Sequence, residues 1–178
     1  MLHPADIFSV ALSKPEIEFL RRQGKKAEIG GRSHVCADDA DRSRNLEADQ
    51  LVGMIGAYVG HKVMFGHTHL FRLSRWFADL DPTRGDGGSD VPGANIDFKA
   101  SLLRSSRRLI EHRLFVRMNE RHPGTVYVLI LVEQDFSQAH IVGWIKSEDL
   151  PKEARDEFPG RLTVDAADLN PVMPVRWF

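Results

Sequence analysis

The clearest pattern along the chain is TVYVLILVE at residues 125–133, apolar or β-branched at nearly every position. A strand without polar alternation is one covered on both faces, so this run predicts an interior strand. AHIVGWI at 139–145 predicts the next strand, and residues 95–101 and 114–118 predict shorter ones. The period changes toward the N-terminus. Leu51, Ile55 and Tyr58 recur at i, i+4 and i+7 with Val52 and Val59 beside them, which predicts a helix over residues 45–63. Residues 15–22 predict an earlier helix, opened by Ser13 with Pro15 in its first turn and ended at Gly24-Lys25-Lys26. Residues 30–44 are polar and lack a period, so they read as a loop. Residues 64–84 read as a connector with a short strand, and 147–150 as a short helix or turn. An apolar strand at the centre with helices mainly before it argues for an α/β or α+β domain.

The longer predicted helix carries Gly53, Gly56 and Gly60 at spacings of three and four, hence on one stripe. Each glycine costs about 1 kcal/mol against alanine in a helix interior. The stripe therefore predicts close approach by another backbone, with tight packing on a sheet favoured over contact with a ligand.

Composition narrows the class. A chain of 178 residues, 42% hydrophobic and 28% charged, is one ordinary globular domain. Cys36 is the single cysteine, which excludes an internal disulfide framework and a cysteine-rich zinc site. No apolar run approaches the length of a membrane span, and the first residues lack the basic and apolar regions of a signal peptide, so the expected compartment is the cytoplasm. The net charge of −1 is not that of a protein that coats nucleic acid. Its distribution says more: residues 101–121 hold six Arg and two Glu, while residues 148–168 hold seven acids and three bases. Only the first segment suits phosphates, although such a run also suits a plain solvated helix face.

The candidate chemistry sits between the helix and the apolar strand. Asp86-Gly87-Gly88-Ser89-Asp90 is followed, after a Pro92-Gly93 turn, by Asp97-Phe98-Lys99. On a strand Asp97 and Lys99 project from one face and Phe98 from the other. A carboxylate beside a lysine is costly to bury unless the two pair or hold a metal. With Asp90 on the preceding arm of a hairpin, two carboxylates and a carbonyl converge, and hard oxygens suit Mg²⁺ or Mn²⁺. Lys99 beside them would orient or deprotonate a water, or stabilise charge on a phosphate. Asp86 reads as turn chemistry.

This arrangement resembles the PD-(D/E)xK nuclease superfamily, through Asp90, Asp97 and Lys99 within GDGGSD…IDFKAS. The AHIVGWIKSEDL segment and the DLNPV ending look like the small phage or prokaryotic members of that group. The resemblance covers residues 45–175. It implies a single-domain, restriction-endonuclease-like α/β fold, a central mixed β-sheet flanked by helices with the catalytic residues on a central hairpin. Residues 1–44 would be an N-terminal helical or loop extension and residues 45–178 the nuclease core. It also implies a Mg²⁺-dependent deoxyribonuclease in which water attacks phosphorus. Asp90 and Asp97 would hold Mg²⁺ (or Mn²⁺), Lys99 would position or activate the water, and Arg104, Arg107 and Arg108 would grip DNA phosphates. Many members carry a glutamate on the helix before the hairpin. Here that stretch reads Gly56-Ala57-Tyr58-Val59-Gly60, so Ala57 stands at the position of the acid. Glu47 is the candidate substitute on the same helix, with Asp49 the alternative.

Ala57 motivates a second reading, a weakened or inactive nuclease fold that binds nucleic acid or a protein partner. In a third, the DxK pattern is accidental in a structural protein. A small domain that cuts both strands would work as a homodimer. His61, His67 and His69 read as loop histidines, since zinc would need a third ligand at a recognisable spacing. His34 and Cys36 carry less, Trp144 reads as core, and no Gly-x-Ser-x-Gly, Walker loop or dinucleotide fingerprint is present.

Overall fold

The apolar run folds as a strand whose successive side chains enter two different cores. The structure, a computed structural model, describes residues 2–29, 46–66, 71, 90–91, 93–103 and 108–172. These contain β1 (Phe8–Ala11), α1 (Lys14–Ile29), α2 (Leu46–Phe65), β2 (Ile96–Leu102), β3 (Arg113–Arg117), β4 (Val126–Val132), β5 (Gln138–Lys146) and β6 (Arg161–Asp165). The main sheet has the order β1-β5-β4-β2. β2 runs parallel to β4, and the other neighbours are antiparallel, so the sheet is mixed. β3 and β6 form a separate antiparallel pair.

β4 decides the layering. Val128, Ile130 and Val132 point to one side, where Leu51, Val52, Ile55 and Val59 of α2 meet them. Tyr127, Leu129 and Leu131 point to the other, against Leu114 and Val116 of β3 and Leu162 and Val164 of β6. The chain is thus an α/β domain with helices on one face of a mixed sheet and a small β-layer on the other. Among the described residues the expectation of flanking helices holds for one face. The segment after β2 supplies a single 3-10 turn, Leu109–Glu111, among the described residues. β4 and β5 are bonded with one irregularity. Leu129 faces Gly143 and Ile130 faces Ile141, which leaves Val142 as the extra residue of a bulge.

The strand predictions at 95–101, 114–118, 125–133 and 139–145 correspond to β2, β3, β4 and β5 within two residues at each end, whereas β6 is not among the predicted strands. β1 has no counterpart in the sequence reading. It pairs with β5 as an edge strand, and Ser9 lies across from His140, whose ring nitrogens reach Ser9 Oγ at 2.8 Å and Glu133 Oε1 at 3.0 Å. α1 runs on to Ile29, past the expected stop at Gly24-Lys25-Lys26. One internal glycine costs about 1 kcal/mol, and the good helix formers after it offset that. The readings of residues 30–44 and most of 64–84 lie outside the described residues.

α2 packs closely on β2 at Gly56 and Gly60. A Cβ at Gly56 would stand 2.5 Å from Ala100 Cβ, and one at Gly60 would stand 2.4 Å from the Phe98 ring. The glycine stripe is therefore a packing surface at these two positions. α1 is tied to α2 by one carboxylate. Ser13 and Glu16 form a capping box, with Glu16 Oε2 accepting from Ser13 N at 2.8 Å and Ser13 Oγ at 2.7 Å. Glu16 Oε1 accepts from Tyr58 Oη at 2.7 Å and Lys62 Nζ at 2.8 Å. Burial pushes this carboxyl up, but the hydrogen bonds from Lys62, Ser13 and Tyr58 outweigh it and lower the pKa from 4.5 to about 2. Among the described residues no helix is long and apolar enough to cross a membrane.

Two predictions follow from this packing. Gly56→Ala should cost about 1–3 kcal/mol in urea unfolding despite its better helix propensity, because the added methyl meets Ala100 close to the backbone. Equal or greater stability would mean that α2 can slide on β2. Glu16→Gln should lose about 1 kcal/mol at neutral pH, allowing for solvent screening. A carboxyl lowered on folding stabilises above its unfolded pKa of 4.5 and stops doing so as the pH falls toward 2. The Tm gap between wild type and variant should therefore close over that interval, and a gap constant with pH would rule out the charged clamp.

Candidate active site

Packing on α2 fixes which face β2 shows to the rest of the molecule. Phe98 and Ala100 lie under Gly60 and Gly56, so Asp97 and Lys99 project from the opposite face. A tight turn then brings Asp90 back to the start of the strand. Ala94 N donates to Val91 O at 3.1 Å, Asp90 N donates to Ile96 O at 2.8 Å, and Gly93 takes φ +80°, a conformation suited to glycine. Phe98 N donates to Asp90 Oδ2 at 2.8 Å, placing the Asp90 carboxylate at the peptide that joins Asp97 to Phe98. His61 supports the turn from α2. Its Nε2 lies 3.1 Å from the Asp90 carbonyl, so that nitrogen carries the proton, and its ring sits among Phe65, Phe71 and Phe98.

Asp90 and Asp97 are 4% and 8% exposed. Lys99 Nζ stands 2.9 Å from Asp97 Oδ2 and 2.9 Å from Glu120 Oε2. The other oxygen of Glu120 accepts from Arg117 Nη1 at 2.9 Å. Arg117 ends β3 and Glu120 lies in the 3-10 turn Met118–Glu120 that follows it. Tyr127 holds that turn from β4, where it faces Asp97 in the parallel register. Its hydroxyl donates to the Glu120 carbonyl at 2.7 Å and accepts from His122 N at 3.0 Å. Lys99 Nζ lies 5.9 Å from the centre of the Tyr127 ring.

The electrostatics follow from this alternation of sign. Burial works to lower the Lys99 pKa, but the Asp97 and Glu120 carboxylates outweigh it and raise it above 10.5. Burial works to raise the Glu120 carboxyl, and Lys99 and Arg117 outweigh it downward. Burial pushes the Tyr127 phenol up, against the hydrogen bond from His122, and Asp97 adds to the rise. Lys99 is therefore an ammonium at neutral pH, fit to donate hydrogen bonds and stabilise negative charge rather than to accept a proton.

Asp97 and Lys99 thus lie on β2, at the end of the sheet among the described residues, with the Asp90 carboxylate at the next peptide, and not on a central hairpin of described strands. Among the described residues the arm before β2 is reduced to the single bridge Val91–Ala94. Ala57 is 1% exposed within the apolar core of the helix face, where a carboxylate would be buried among Leu, Ile and Val side chains. Glu47 lies in the first turn of α2. The helix runs from the Ala100 end of β2 toward Asp90, since Gly56 meets Ala100 and His61 meets the Asp90 carbonyl. At 1.5 Å per residue the Glu47 backbone is roughly 21 Å along the axis from His61, and Asp49 about 18 Å. The structure therefore does not bring the backbone of either to the Asp90–Asp97 pair.

Arg108 is exposed and caps the Leu109–Glu111 turn, its N–H donating to Glu111 Oε2 at 3.0 Å. Arg104, Arg107, Asp86, His67, His69, His34 and Cys36 lie outside the described residues. His61, read from sequence as a loop histidine, is fully buried on α2. Trp144 packs against the helix-side core and donates from Nε1 to the Pro171 carbonyl at 3.0 Å.

Sequence reading missed Glu120, Arg117 and Tyr127. Glu120 was one acid in a basic segment. Tyr127 carried the better signal: a phenol inside an apolar run needs a buried hydrogen-bond partner.

The donor set fits a hard divalent cation in kind. Two carboxylates are sufficient protein ligands for Mg²⁺ when water and phosphate oxygens complete the shell. Among the described residues no group of three His, Cys, Asp or Glu is placed to hold a metal. Compared with protein-family models, curated proteins and solved structures, the chain finds no match.

Tyr127→Phe should cost about 1–3 kcal/mol in chemical denaturation, because it strips a partner from both the Glu120 carbonyl and the His122 amide. A change within a few tenths of a kcal/mol would show that the phenol does not hold the turn.

Proposed function

We propose that the chain is a metal-dependent phosphodiesterase that hydrolyses DNA, a nuclease of the PD-(D/E)xK type with the restriction-endonuclease-like fold. The observation that carries this reading is the ammonium of Lys99, 2.9 Å from Asp97 on one strand, with the Asp90 carboxylate at the next peptide. Asp90 and Asp97 would hold Mg²⁺ or Mn²⁺, which when bound supplies neutralisation of phosphate charge and a lowered pKa for water. Lys99 donates to the scissile phosphate or to the attacking water and stabilises the charge that grows on the phosphate oxygens. Paired with two carboxylates, Lys99 is held as an ammonium before a cation binds, a form suited to stabilising charge. Arg104, Arg107 and Arg108 would grip flanking phosphates, contacts that set register and salt dependence but not sequence. The substrate is cytoplasmic DNA, and cutting both strands would call for a homodimer.

A second reading has its own observation. The position of the family's helix glutamate is Ala57, in the apolar core, and Lys99 is already paired with two carboxylates. A chain of this kind would bind nucleic acid or a protein partner without turnover.

Incubation of the purified chain with single- and double-stranded DNA in Mg²⁺, Mn²⁺ or EDTA separates the two. The nuclease reading expects metal-dependent cleavage that falls by about 100-fold or more in Asp97→Asn and in Lys99→Met, with the Tm of each within a few degrees of wild type. Salt-sensitive DNA binding without cleavage by wild type would favour the second reading. Cleavage unchanged in either variant would refute the assignment of the site.

A further inference from the structure

We infer that Glu120 is the positioning residue that keeps Lys99 in place when a divalent cation occupies the Asp90–Asp97 pair, an inference that rests on the nuclease reading above. Lys99 has two anchors at equal distance, Asp97 Oδ2 and Glu120 Oε2, each 2.9 Å from Nζ. The two anchors are not equivalent. Asp97 is the carboxylate that would turn to the cation, and its charge would then be shared with a dication that repels the ammonium. Glu120 reaches Lys99 from another element and has no such second duty.

Glu120 is also held before any ligand arrives. Arg117 engages its Oε1, and the Tyr127 hydroxyl engages its backbone carbonyl. A carboxylate fixed at both ends orients an ammonium better than a free surface acid, because less rotamer freedom is lost in forming the contact. A glutamate on the 3-10 turn after β3 thus gives the site a third carboxylate, one that acts through Lys99 and not as a metal ligand.

The experiment compares wild type, Glu120→Gln and Glu120→Asp as purified full chains. It reads three quantities: Tm, steady-state cleavage of DNA in Mn²⁺, and the rate at which an amine-acetylating reagent modifies Lys99, followed by mass spectrometry with and without Mn²⁺. In Glu120→Gln kcat should fall by about 10- to 100-fold with KM within about twofold, the size expected for a misplaced reacting group. Glu120→Asp should recover part of that loss. Mn²⁺ should leave the acetylation of Lys99 nearly unchanged in wild type and accelerate it several-fold in Glu120→Gln, as the ammonium loses its remaining anchor. Equal acetylation in the two chains under Mn²⁺, or unchanged kcat, would overturn the inference. So would loss of folding in both variants, which would assign Glu120 a purely structural role. Wild type that fails to cleave DNA but keeps the acetylation contrast would refute the nuclease reading and leave the anchor standing.

Discussion

The contact between α2 and β2 is the constraint from which the site follows. Gly56 and Gly60 let the helix lie directly on Ala100 and Phe98. That contact commits the even-numbered residues of β2 to the helix, and the pleat sends Asp97 and Lys99 the other way. A register slip of one residue would place a carboxylate and an ammonium in the apolar core beside Ile55 and Val59, at a cost no pairing there could offset. Steric fit on one face thus specifies the placement of charge on the other.

Charge on that second face is tolerable because it is shared along a chain. Asp97, Lys99, Glu120 and Arg117 alternate in sign, so each carboxylate meets a cation and each cation a carboxylate. Exposure rises along the chain from Asp97 through Lys99 to Glu120 and Arg117, so the network passes from interior to solvent with each of its charges matched. Such pairs contribute little net stability once desolvation is counted. Their value lies in fixing geometry, and Tyr127 fixes it further by holding the Glu120 backbone from the central strand.

Much of this was legible in the sequence, and the part that was not has a physical cause. β4 and β5 are unambiguous because strands buried on both faces read as apolar runs. The helix of Leu51 and Ile55 is equally plain from its period, and so is the glycine stripe, because three glycines on one helix face need a packing reason. β1 is missed because a four-residue edge strand of sequence FSVA buries too little to impose a pattern. The pairing of Asp97 with Lys99 was legible because both lie on one strand, two residues apart. Glu120 was not, because it reaches Lys99 through a turn after another strand, and contacts between elements leave no periodic trace. Glu47 shows the converse error. Its place on α2 and its longer side chain made it a candidate, while the direction in which α2 crosses β2, which no local pattern encodes, puts its backbone at the far end.

The position of Ala57 then takes on a different meaning. On a helix that touches the sheet through glycines, a neighbouring residue is enclosed, and an alanine there costs nothing while a glutamate would need a cation or a donor within reach. Glu120 stands on the opposite, more open face, where Arg117 and Lys99 already repay its partial desolvation. The two acids are therefore not interchangeable ligands moved from one element to another. One would face the cation from the core, whereas the other faces the lysine from the rim. On the nuclease reading, a site built the second way would leave the cation with two protein carboxylates, so more of its shell would come from water and from the phosphate itself. Coordination of that kind would tie cation binding to the presence of the phosphate, with a firmly anchored Lys99 as the fixed reference against which both would be placed.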